Sequence, residues 1–92
     1  MKLYNYDFKL LNNDGGIIEY KNKSTLDMVD IVNSHLSNKF NASSQNLQIS
    51  SHTIYNLMNN RNTSKYLKIF ITEITQKQID SNGKILSSKV VN

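Results

Sequence analysis

Residues 3–21, LYNYDFKLLNNDGGIIEYK, limit the fold more than any other stretch. Tyr4, Tyr6, Phe8 and Leu10 alternate with Asn5, Asp7 and Lys9, the period of two of a half-buried strand. Asn12-Asn13-Asp14-Gly15-Gly16 is a turn cluster whose glycines can supply positive φ. Ile17, Ile18 and Tyr20 then form a short return strand, so the segment reads as a β-hairpin.

Ser24 opens a helix over 24–38. Asp27 follows three residues later as a shortened capping box, and Asp27 and Asp30 lie near the positive end of the helix dipole. Met28, Val29, Val32 and Leu36, with Ile31 beside them, form one apolar stripe over about three turns. The polar stretch 38–48, NKFNASSQNLQ, reads as a loop, unless Lys39 and Phe40 extend the helix. It is longer than the usual connection of about two to eight residues.

A second helix is predicted over 51–61. Ser50 and Ser51 are good N-caps, and Ile54, Leu57 and Met58 share one face at the i, i+3, i+4 spacing. His52, Thr53, Tyr55, Asn56, Asn59, Asn60 and Arg61 fall on the other sides, and all form hydrogen bonds. An apolar underside with a polar upper side is what a helix in a DNA groove requires. Many short surface helices share that pattern.

Residues 65–79, KYLKIFITEITQKQI, are read as a strand from their β-branched density. Leu67, Phe70, Ile71 and Ile74 would also suit a helix. Asp80-Ser81-Asn82-Gly83 makes a second hairpin turn into the strand Lys84 to Val91, giving a second hairpin over 66–91. The expected fold is α+β over one domain, 1–92. An N-terminal hairpin and a C-terminal hairpin pair into one antiparallel sheet, with two helices on its apolar face.

There is no cysteine, which excludes disulfides and thiolate metal sites, and His35 and His52 are too few for a zinc site. No apolar run approaches the roughly 20 residues of a membrane span, and the start lacks a signal peptide's apolar region, so an intracellular, soluble protein is expected. For a viral protein that means host cytoplasm or nucleus. The fourteen asparagines, ten lysines and ten isoleucines, with no proline, fit codon bias in an AT-rich genome such as that of many viruses, phages and organelles. The asparagine count alone therefore says nothing about base recognition.

Charge is uneven. Lys2, Lys9, Lys21 and Lys23 against Asp7, Asp14, Glu19, Asp27 and Asp30 leave residues 1–37 at −1. Lys39, Arg61, Lys65, Lys68, Lys77, Lys84 and Lys89 against Glu73 and Asp80 put residues 38–92 at +5. The cationic half holds the candidate recognition helix, which favours an anionic partner over a merely solubilising lysine surface.

Catalysis has little behind it. Asp27 and Asp30 serve the helix dipole, His52 has no obligatory acidic or nucleophilic neighbour, and Gly15-Gly16 opens no helix as a phosphate loop would. No cofactor or metal is expected. For nucleic acid, the hydroxyls of Ser51 and Thr53, with His52, suit phosphate oxygens. Tyr55, Asn56, Asn59 and Asn60 suit base edges, and asparagine in particular matches adenine. Arg61 suits guanine or phosphate, and Lys65 and Lys68 would flank the duplex backbone.

Gly15-Gly16-Ile17-Ile18-Glu19-Tyr20, Ser24 to Ile31, and Ile49-Ser50 through Leu57 with Arg61 together carry a resemblance. Over roughly residues 8–61 the chain resembles the small helix-turn-helix modules repeated in phage and organellar homing endonucleases (the intron-encoded nuclease type) and in proteins of large DNA viruses. The resemblance implies binding to duplex DNA without catalysis by this module. The tail 65–92 would then be a wing against the backbone, or would pair with a second copy as a homodimer. The alternative is a protein-interaction or structural module. Residues 84–91, or the first strand, would then offer a sheet edge to a protein partner or to another copy.

Overall fold

The computed structural model describes residues 2–12, 14–40, 49–59 and 65–91, with the backbone alone described for 37–40, 65 and 66. It is an α+β fold. Strands β1 (Leu3–Leu11) and β2 (Ile17–Lys23) are followed by helices α1 (Thr25–Phe40), α2 (Ser51–Met58) and α3 (Lys65–Phe70), then by strands β3 (Ile71–Ile79) and β4 (Ile85–Val91). The four strands form one antiparallel sheet in the order β2-β1-β3-β4, so the two hairpins join through β1 and β3. This makes β1 an interior strand. It has no edge to offer a partner, contrary to the sequence-based alternative, and the sheet edges are β2 and β4.

Both hairpin turns combine a positive-φ glycine with an aspartate acceptor, though at different places: Asp14 directly precedes Gly15, while Asp80 opens the turn that Gly83 closes. Gly15 and Gly83 sit at φ +87° and +83°, where a side chain would be strained. Asp14 Oδ1 accepts the Gly16 N–H at 2.8 Å, and Asp80 Oδ1 accepts the N–H groups of Asn82 and Lys84, each at 2.9 Å. The side chain thus supplies the acceptor that the reversing backbone lacks.

Alternation in β1 buries Tyr6, Phe8 and Leu10 on the helical side, with Tyr4 partly buried against the same core. From α1 come Met28, Val32 and Leu36, flanked by the partly buried Val29 and Ile31, as the stripe predicts. Ile49 ahead of α2, Ile54, Leu57 and Met58 of α2, Leu67 and Phe70 of α3, Ile71 and Ile74 of β3, and Val91 of β4 complete the core. Phe8 stacks on Tyr20 of β2, with ring centroids 5.1 Å apart. The Tyr20 hydroxyl bonds to Nε2 of His35 at 2.7 Å, tying β2 to α1.

The segment 65–79 departs from its reading as a continuous strand. It is helix from Lys65 to Phe70 and strand from Ile71, so the second hairpin starts at Ile71 rather than at 66. Leu67 and Phe70 lie three apart and both reach the core from a single helical turn. Ile71 and Ile74 also lie three apart, a spacing a regular strand would send to opposite faces. A bulge solves this. Lys9 pairs with Glu73 and Leu10 with Ile71, leaving Thr72 as the extra residue, its hydroxyl donating to the Lys9 carbonyl at 3.3 Å.

Candidate nucleic-acid interface

The start of α2 is fixed from two directions. Ser50 is the N-cap in extended backbone, and it exchanges bonds with Thr53: the Thr53 N–H donates to Ser50 Oγ at 3.4 Å and the Ser50 N–H to Thr53 Oγ1 at 3.3 Å. Both bonds are long, so the capping box contributes little by itself. The firmer hold is on the residue before it. Asn33 of α1 donates from Nδ2 to the Ile49 carbonyl at 3.0 Å and accepts the Ile49 N–H at Oδ1 at 2.7 Å. Ile49 is itself buried, and so are Ile54, Leu57 and Met58, so α2 lies pinned by its underside.

The opposite side faces solvent. Ser51, His52 and Tyr55 are exposed, and Asn56 is half-buried. The His52 and Tyr55 rings stack, with centroids 6.2 Å apart and planes within 16°. Such a pair forms a flat aromatic ledge along the helix. Thr53 is half-buried and its hydroxyl is engaged with Ser50, which leaves it poorly placed to take a phosphate. Asn59 is exposed, but its amide turns back to the Tyr55 carbonyl at 2.9 Å and closes the helix end. The helix ends at Met58 with Asn59 as its C-cap, shorter than the predicted 51–61. Asn60 and Arg61 lie outside the described residues. Lys68 is exposed on α3, and Lys65, whose side chain is not described, opens that helix.

The helix-free face of the sheet is electrically balanced. Lys9 lies 3.7 Å from Glu19 and 3.8 Å from Glu73, Lys21 lies 3.2 Å from Glu19, and Lys77 meets Asp7 at 2.7 Å. Three cations and three anions cancel there, so the net charge of +4 is carried elsewhere on the molecule. Asp7 is the firmest member of this row. Its other oxygen accepts the N–H of Asn22 at 2.9 Å, where β2 bulges and Asn22 takes φ +56°. Partial burial of Asp7 favours the neutral acid, but the bonds from Lys77 and from the Asn22 N–H outweigh it and hold the carboxyl below its ordinary value.

Two residues that organise this region carry no local sequence signal. Asn33 is one asparagine among fourteen, and Asp7 reads as an outward position of an alternating strand. Among the described residues no three His, Asp or Glu side chains converge as a metal site, and no helix is long and apolar enough to cross a membrane. No protein-family model, curated protein or solved structure matches the chain.

Proposed function

We propose that the chain binds double-stranded DNA without catalysing a reaction, using the solvent-facing side of α2 in the major groove. The observation that carries this reading is the two-sidedness of that helix. Ile54, Leu57 and Met58 are buried, while Ser51, His52, Tyr55 and Asn56 face outward with no acidic residue among them. A groove-binding helix needs a rigid underside and hydrogen-bonding groups free of like charge to the phosphates. Arg61, Lys65 and Lys68 follow in sequence, and Lys68 is exposed on α3. The charge-balanced sheet face is a poor alternative for a polyanion.

In this reading α1 acts as the support and α2 as the reader of a helix-turn-helix-like pair. That agrees with the resemblance to homing-endonuclease repeat modules and would suit a viral or phage regulator. His52 and Ser51 contact phosphate, and Tyr55 and Asn56 reach base edges.

Fluorescence anisotropy with a labelled generic duplex tests the reading at about 50 mM and about 200 mM salt. Contact with even a few phosphates weakens binding severalfold or more between these conditions through counterion release. Binding that is absent at low salt, or indifferent to salt, sinks the proposal.

A further inference from the structure

The two edges of the sheet are built differently. On β2, Glu19, Lys21 and Lys23 place charges along the strand, and Asn22 bulges it out of regular pairing. Charges and bulges of this kind keep an edge from pairing with another strand. On β4 neither protection covers the main run. Its bulge, at Leu86, lies at the start of the strand, and Ser87 to Val91 pair regularly with β3. Its one charge is Lys89. Ile85, Leu86 and Val90 stand 54%, 58% and 65% exposed, an apolar strip beside ladder positions that no described strand pairs.

We infer that β4 pairs antiparallel with β4 of a second copy, about a two-fold axis through Ser88, joining two sheets into one of eight strands. The sequence ILSSKVV is self-complementary about that point. The register sets Ser88 against its own counterpart and Leu86 against Val90 of the second copy, once on each side of the axis, while Val91 stays in the core of its own copy. Lys89 then faces Ser87 of the second copy. Apolar residues meet apolar ones twice over, and the two lysines are kept apart.

Charge and polarity reject the neighbouring registers. A slide of two residues one way puts Lys89 directly against Lys89, which is repulsive. The same slide the other way puts Lys89 against Ile85 and Leu86 against Ser88. A slide by one residue puts Leu86 opposite Lys89 or Val90 opposite Ser87, and also turns the two helical layers to opposite faces. The strip is only seven residues long, a small contact, so the dimer is expected to be weak and to form at micromolar rather than nanomolar concentration. The inference does not rest on DNA binding, since pairing needs no nucleic acid.

Sedimentation of the full chain from about 1 to about 200 µM, without DNA, tests it. The mass is expected to rise from 10.6 kDa towards twice that value. Leu86→Glu or Val90→Lys alone should hold the chain monomeric, and the two together should restore the dimer, because the introduced charges face each other across the axis. Both positions are exposed, so circular dichroism should be unchanged. The chain has no cysteine, which allows an independent check free of added charge. Ser88→Cys should oxidise to a covalent dimer far faster than Ser87→Cys. A constant monomer mass overturns the inference, as does a dimer indifferent to Leu86→Glu, no rescue in the double variant, or equal cross-linking at the two serines.

Discussion

The Asn33 amide pairs with both backbone groups of Ile49, sixteen residues further along the chain, as a neighbouring strand would. It thereby couples the second half of α1 to the start of α2. Ile49 is buried, so neither backbone group can turn to water if the amide is lost. Asn33→Ala is expected to cost about 2 kcal/mol, lowering Tm by about 10 °C in a domain of this size. Asn33→Asp keeps one of the two bonds and should fall between. A melting curve for Asn33→Ala that overlays the wild type would show that α2 is held by its apolar underside alone.

Asp7 predicts a pH dependence of stability. Its folded-state value lies below the ordinary 3.8, so the stability it contributes is present above that value and is lost as pH falls through the lower folded one. Asp7→Asn should therefore be less stable than wild type at pH 7 by about 1 kcal/mol, with the gap closing in acid below about pH 4. Urea titrations at neutral and acid pH check this. A gap of constant size would mean that Asp7 acts only through shape.

The outer side of α2 separates binding from stability. Tyr55 is half-exposed and His52 exposed. The double change to alanine should leave the urea midpoint nearly unchanged and weaken duplex binding by about 1–2 kcal/mol, roughly five- to thirtyfold. Replacing Arg61, Lys65 and Lys68 by alanine should weaken binding to every sequence and flatten its dependence on salt. Asn56→Ala should mainly reduce preference among sequences. Full binding by the cation-stripped variant would place the DNA on another surface.

Phe8 is the centre of the core. It is 1% exposed, sits on an interior strand and stacks on Tyr20. Phe8→Ala should cost about 3–5 kcal/mol, a large share of the roughly 5–14 kcal/mol a domain this long commands. Calorimetry should find it unfolded, or nearly so, at 37 °C. Tyr20→Phe keeps the stack and loses only the bond to His35, so its loss should be near 1 kcal/mol.

Local pattern gave both hairpin turns, two of the three described helices and most of the core. Tyr6, Phe8 and Leu10 had their period of two, Met28, Val32 and Leu36 their helical stripe, and Asp14 and Asp80 their glycine-bearing turns. The polar side of α2 was equally legible as a set of residue types, because helical spacing alone divides Ile54, Leu57 and Met58 from His52 and Tyr55. Which of those residues spend their hydrogen bonds on the helix itself was not legible. Thr53 and Asn59 do, and only the caps show it.

By itself the sequence determined where the chain turns and which face of each element is apolar, since both follow from residues within a few positions of one another. Tertiary structure decided what depends on distant partners. Leu67, Phe70, Ile71 and Ile74 carry one helix-like spacing. The chain divides it between a turn of α3 and a bulged strand because β1 must be paired along Lys9 and Leu10. Asn33 became a clamp and Asp7 an anchor only once Ile49, Asn22 and Lys77 were brought to them. A side chain's own neighbours in sequence set its local geometry, but its hydrogen-bond partners are supplied by whichever segment the packed core places alongside.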